Sequence, residues 1–237
     1  REKIRDFKEQ EIANTAWSFA TLGILDEALF NALAIESKQK IHDFETQNLT
    51  TIAWGFAILG MGEKEFLDTI VHAILQVQPG QWNSKELSQL GQVALYLKHE
   101  LGWESFSWPD GLSSQILDQT RGLLKEIHSS RLHQDCSRII TSLGHPVKNE
   151  YNVNGLVADI YLKDKRLLIE TDGPSHFAFN SRVALGHTLF KERLLKAMGY
   201  SVLSIPYWDW NELKDDEAKK RYMEERLATF QENRQLN

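Results

Sequence analysis

The 237-residue sequence is 42% hydrophobic and 25% charged, enough to bury one large core or two small ones. No apolar run approaches the ~20 residues that span a bilayer, and no apolar stretch follows Arg1-Glu-Lys-Ile-Arg, so neither a membrane partner nor a secretory signal is expected. The single cysteine, Cys136, excludes internal disulfides and a cysteine-built metal cage, and the net charge of −6 argues against indiscriminate coating of nucleic acid.

The first half repeats itself. Phe7-Lys-Glu-Gln-Glu-Ile-Ala-Asn-Thr-Ala-Trp17-Ser-Phe-Ala-Thr-Leu-Gly23 recurs as Phe44-Glu-Thr-Gln-Asn-Leu-Thr-Thr-Ile-Ala-Trp54-Gly-Phe-Ala-Ile-Leu-Gly60, at a shift of 37 residues. Phe, Gln, Ala, Trp, Phe, Ala, Leu and Gly keep register, and a period of this size belongs to helix-pair solenoids. Ile12, Ala16, Trp17, Phe19 and Ala20 fall on one helical stripe that Gly23 closes, so Trp17 and Trp54 are expected to pack between helices. Second helices follow over 25–37 and 63–75. A degenerate third unit runs from Trp82 through Leu87, Leu90, Ala94 and Leu97, with Gly91-Gln92 in place of Ala-Trp, as an end-capping repeat would have it. Helical repeats are thus assigned to 1–101.

Residues 102–111, with three aromatics and Trp108-Pro-Asp-Gly111, read as a linker. Helices are predicted over 112–128 and 132–143, then strands over 147–153, 156–162 and 166–171. Asn154-Gly155 is a two-residue hairpin signal between the first two strands. A helix over 183–198, a strand over 200–205 and an amphipathic helix over 212–232 complete a small α/β domain at 112–237. The fold class is α+β overall: a helical solenoid followed by this α/β module. Residues 1–111 carry 9 Lys+Arg against 16 Asp+Glu, whereas 112–237 carry 18 against 17, so a phosphate-contacting surface is expected in the second half.

Chemistry concentrates there. Asp159 interrupts an apolar strand, and Glu170 and Asp172 end the next one on a shared face, followed by Gly173-Pro-Ser-His176. Clustered acids at a strand end repel unless a cation, a proton or a donor offsets them. Metal-assisted phosphodiester hydrolysis uses such a cluster, with Asp159, Glu170 and Asp172 holding Mg²⁺ or Mn²⁺. The plainer alternatives are an Asp172-Gly173 turn and pairing of Glu170 with Lys191 or Arg193. His176 is either a site residue or a packing histidine. Arg182, Lys191, Arg193 and Lys196 form a cationic segment suited either to solvent or to phosphate, and Trp208 in Tyr207-Trp-Asp-Trp210 could stack on a base or plug the core edge.

The segments Ala158-Asp159-Ile-Tyr, Leu168-Ile-Glu170-Thr-Asp172-Gly-Pro-Ser-His176-Phe and Thr188-Leu-Phe-Lys191-Glu-Arg193-Leu-Leu-Lys-Ala-Met-Gly199, continuing to Pro206-Tyr-Trp208, resemble the RAP domain. The upstream repeats resemble those of octotricopeptide-repeat proteins and the Fas-activated serine/threonine kinase family. The resemblance implies single-stranded RNA as partner, with other RNA-processing proteins alongside and no membrane. It also implies action on transcript stability, processing or maturation in a mitochondrial matrix or chloroplast stroma, with a bacterial cytoplasm as the other compartment. The RAP module is in turn similar to very-short-patch-repair endonucleases and the PD-(D/E)XK restriction-endonuclease-like fold. That likeness implies Asp159 and Glu170 as metal acids, His176 as base, and Lys191 or Lys196 in place of the motif lysine, whose position here holds Asp172. A metal-dependent DNA endonuclease and a protein-interaction scaffold are the alternative functions. Without an initiator Met, the chain is read as a piece of a longer protein.

Overall fold

A computed structural model describes residues 2–78, 80–125 and 129–235. Helices α1 (Glu9–Leu22), α3 (Thr46–Leu59) and α5 (Ser84–His99) lie side by side, with α2 (Glu27–Gln39) and α4 (Lys64–Leu75) behind them. The repeated small residues explain the spacing. A side chain at Gly55 would press within 3.2 Å of the Ala16 backbone, so this pair lets α1 and α3 approach closely. Gly23 and Gly60 adopt φ of 68° and 67°, and their amides close each helix on Ala20 and Ala57 carbonyls. The repeated tryptophans do not behave alike. Trp54 is half-buried and its indole N–H donates to Gln92 Oε1 at 2.7 Å, whereas Trp17 is 40% exposed, with the Lys85 ammonium 5.8 Å from its ring.

The aromatic stretch expected as a linker folds back onto α5. Trp103, Phe106 and Trp108 meet edge to face at 6.0 and 4.8 Å, and the buried Trp108 indole donates to the Leu90 carbonyl at 3.1 Å. Helix α6 (Asp110–Lys125) then packs along α5. The last residues of the helix predicted there, 126–128, lie outside the described residues.

After α7 (Arg131–Ser142), strands β1 (Val147–Val153), β2 (Leu156–Leu162), β3 (Leu167–Asp172) and β4 (Ser201–Pro206) form one sheet in that order. The first three are antiparallel and β4 runs parallel to β3. Asn154 and Gly155, at φ of 52° and 93°, make the tight turn between β1 and β2. Helix α7 and the C-terminal helix α10 (Asp216–Gln235) cover one face, over Ile160, Leu162, Ile169 and Ile205. Helix α8 (Gly186–Ala197), which links β3 to β4, covers the other. It starts later than predicted because residues 177–184 form a hairpin, closed by the Phe177–Ala184 bridge. The predicted last helix begins four residues late, as α10, which Asp215 caps by accepting from the Ala218 amide at 2.8 Å, and a short helix that was not predicted, α9 (Tyr207–Asn211), takes the aromatic run.

Helix α8 belongs to both cores. Phe190 and Leu194 complete the core of the helical repeats, while Leu195 packs under the sheet. Its first residue, Gly186, abuts α1 so tightly that a Cβ there would sit 1.7 Å from the Ala20 carbonyl oxygen. At the middle of α8, the Arg193 guanidinium donates to the Ala57 and Ile58 carbonyls at 2.6 and 2.9 Å and to Glu100 at 2.6 Å. Arg193 therefore caps α3 and ties it to the end of α5.

Candidate functional site

The site sits where β2 and β3 part company. Their paired register ends at Ile160 and Ile169. Beyond it the Asp159 carboxylate takes the place of the strand ladder, accepting from the Thr171 amide at 2.7 Å and the Thr171 hydroxyl at 2.5 Å. On the α8 side, β3 continues alongside β4, setting Glu170 against Ser204 and Asp172 against Pro206. Glu170 is 6% exposed and accepts from Lys191 Nζ at 2.5 Å, while its Oε1 is buried with no hydrogen-bond partner. Asp172 is 3% exposed; its Oδ1 lies 3.0 Å from His176 Nδ1, and Ser204 donates to its Oδ2.

Burial decides the state of Glu170. It lifts the carboxyl to about 7, with Asp159 and Asp172 adding to the rise and Lys191 opposing it. Burial also acts on Asp172, but hydrogen bonds from His176 and Ser204 prevail and hold it below the usual carboxylate range. The bond to Asp172 raises His176 against the opposing effect of burial. Burial and the nearby His176 keep the adjoining His187 below its ordinary value. The three acids, His176 and Lys191 thus share one electrostatic environment, as the sequence suggested.

The expected metal centre is a different matter. Among the described residues no three His, Cys, Asp or Glu side chains converge in a geometry that holds an ion. Each carboxylate already faces a protein partner: Thr171 for Asp159, Lys191 for Glu170, and His176 with Ser204 for Asp172. As they stand, the three carboxylates are held by protein donors rather than arranged around an ion.

The cationic segment does not present a single face. Lys191 points to Glu170, Arg193 to the helical repeats, and Lys196 to Glu192 at 2.5 Å on the solvent side. Arg182 stands apart in the 177–184 hairpin. Its guanidinium lies 5.3 Å from the centre of the Trp208 ring and has no carboxylate partner among the described residues. Trp208 packs on Phe177 and Tyr207 at 4.3 and 5.2 Å. Together with Phe179, which is 93% exposed at the hairpin tip, these residues line an open cavity of about 500 Å³. Trp210, two residues on, is the core plug: it is buried and donates to Asp135 at 3.0 Å. Both cavity and acid cluster occupy the carboxyl end of the parallel pair β3 and β4, where α/β sheets bind ligands.

Sequence reasoning missed Thr171 and Ser204, the hydroxyls that satisfy the acids, and the Phe177–Phe179–Tyr207 wall. Strand alternation puts Ser204 level with Glu170, so its place was recoverable once β3 and β4 were paired.

Residues 169–226 match the family model of the RAP domain. That stretch contains Glu170, Asp172, His176, Arg182, Lys191 and Trp208, but not Asp159. The chain is 26% identical over 219 residues to a "RAP domain-containing protein, chloroplastic" of Oryza sativa subsp. japonica, covering 92% of this chain and 29% of that protein. It is 36% identical over 63 residues to "FAST kinase domain-containing protein 3, mitochondrial" of Homo sapiens and of Bos taurus, covering 27% of this chain and 10% of each. The chain thus spans less than a third of the length of these relatives.

Proposed function

We propose that this chain, which carries a RAP domain behind helical repeats, is an RNA-binding protein of a mitochondrion or chloroplast that acts on transcript stability, processing or maturation. One observation carries this reading: Arg182, a cation without a carboxylate partner among the described residues, stacked on Trp208 at the mouth of an aromatic cavity. An aromatic wall accepts an unpaired base, and a guanidinium beside it meets the adjoining phosphate. The compartment rests on the relatives' names, chloroplastic and mitochondrial.

Charge places the strand beside the acids rather than over them. Asp159, Glu170 and Asp172 outnumber Lys191 and His176, so phosphate is repelled from the cluster while Arg182 and Trp208 attract it. The repeats would hold a neighbouring part of the same strand, with partner proteins joining on the remaining surface. The module's strand and helix order accords with a PD-(D/E)XK-like core. One observation favours cleavage as a second reading: the buried Glu170 Oε1 lacks a hydrogen-bond partner, as an acid awaiting a ligand would.

The test is fluorescence anisotropy with labelled single-stranded RNA, duplex DNA and rising salt, on the parent chain and on Trp208→Ala and Arg182→Gln. Tighter binding to single-stranded RNA, lost in both variants and weakened by salt, is expected. Equal affinity for random duplex DNA would overturn the reading. Cleavage in Mg²⁺ or Mn²⁺ that disappears in Asp159→Asn would establish the second reading instead.

A further inference from the structure

We infer that a second binding surface for single-stranded nucleic acid lies at the opposite end of the sheet, built on Tyr151, Tyr161 and Tyr200 with Lys148 and Arg166. It rests on the RNA-binding reading but uses none of the residues that carried it.

Tyr151 of β1, Tyr161 of β2 and Tyr200, the residue before β4, meet on the face shared with α8. Tyr151 and Tyr161 are stacked, with centroids 4.2 Å apart at 15°, and Tyr200 meets them edge-on at 6.4 and 5.9 Å. They are only partly buried, so part of the cluster remains open to solvent. Two cations border them. Lys148 Nζ lies 4.8 Å from the Tyr151 ring centre, and the Arg166 guanidinium 5.3 Å from that of Tyr200. Both cations are exposed, and neither has a carboxylate partner among the described residues. Arg166 holds its place through a left-handed backbone, φ 48°, a conformation uncommon for a side chain of its kind.

The adjoining cavity, about 560 Å³, is lined by His99, Asn152, Asn154, Arg166 and Tyr200 among others, and by no aspartate or glutamate. That absence matters in a chain with 33 acidic residues and a net charge of −6. An anion is the occupant that such a lining admits. Half-buried tyrosine rings on a sheet, cations at their border and amide side chains able to meet base edges suit unpaired nucleotides. A duplex, whose bases are stacked away, offers nothing to those rings. The surface lies at the amino end of β3, and five residue steps along that strand set it about 17 Å from the Asp172 end. One RNA strand can therefore engage both ends of the sheet.

The experiment is anisotropy of the full chain with a labelled oligouridylate, comparing Tyr200→Ala, Tyr200→Phe and Arg166→Asn with Trp208→Ala. Asparagine tolerates the left-handed backbone, so Arg166→Asn removes the charge without adding strain. About tenfold weaker binding is expected for Tyr200→Ala, near-parent binding for Tyr200→Phe, and for Arg166→Asn weaker binding with a salt slope reduced by about one. If Tyr200→Ala and Arg166→Asn both bind as the parent does while Trp208→Ala fails, the second surface is refuted and the RNA-binding reading survives. If Tyr200→Phe loses as much as Tyr200→Ala, stacking is refuted. A parent chain that binds no oligouridylate sinks both readings.

Discussion

Replacing Arg193 by Met removes the cap on α3 and strands Glu100. The guanidinium makes three charged hydrogen bonds, to Ala57, Ile58 and Glu100, all between 2.6 and 2.9 Å. Ala57 retains the Gly60 amide as a donor, so its carbonyl is not orphaned. Glu100 fares worse: its side chain is 14% exposed, and its Oε1 is already buried without a hydrogen bond. Leaving a buried charge without its partner costs about 3–5 kcal/mol, and because Arg193 is itself one-third exposed the lower figure, about 3 kcal/mol, is expected. Arg193→Lys keeps the charge but loses the fork, for about 1–2 kcal/mol. In urea unfolding followed by circular dichroism, Arg193→Met with Glu100→Gln should cost less than the sum of the single changes, by about 1.5 kcal/mol. A cost under about 1 kcal/mol for Arg193→Met, or strict additivity in the cycle, refutes the clamp. Intact stability with weakened RNA binding would return Arg193 to the phosphate-contacting role that sequence suggested.

Gly186→Ala should destabilise the chain by about 2 kcal/mol or more, read as a fall in urea midpoint, because neither backbone at the Ala20 contact can yield to a methyl group. Stability should decline between about pH 5 and pH 8. Glu170, raised to about 7, favours its neutral form in the fold, and raised His176 favours its charged form, so both contributions fade as pH rises. The Glu170 part amounts to about 3 kcal/mol, and Glu170→Gln should flatten the pH profile of the urea midpoint. Over the same range RNA affinity should rise on acidification, since protonating Glu170 and His176 makes the cluster less repulsive to phosphate; an affinity independent of pH in anisotropy would contradict this. Chelation by EDTA should leave RNA affinity unchanged, and a severalfold loss restored by Mg²⁺ would show that an ion organises the site.

Local signals carried most of the fold. Gly23 and Gly60 end helices because a left-handed cap favours glycine, and Asn154-Gly155 turns because the tight hairpin needs two such residues. The acid cluster was legible for a similar reason, since strand alternation alone sets Glu170 and Asp172 on one face. Long-range contacts set what was not legible. Thr171 meets Asp159 only because β2 and β3 diverge, and Arg193 reaches a helix end 136 residues away in sequence. Helical spacing at 191, 193 and 196 did not reveal that these cations would turn three ways, because that depends on what packs around α8. The aromatic stretch at 103–108 read as a linker because its partner, the Leu90 carbonyl, belongs to another helix.

Because α8 contributes Phe190 and Leu194 to one core and Leu195 to the other, the passage from repeats to sheet contains no joint. Cutting the chain near residue 111 would lay bare apolar side chains on the sheet-bearing fragment, which should then precipitate or recruit a substitute for the missing helices. A polynucleotide lying across repeats and sheet would meet a ruler, with the distance between its two footholds set by a helix and indifferent to tether length.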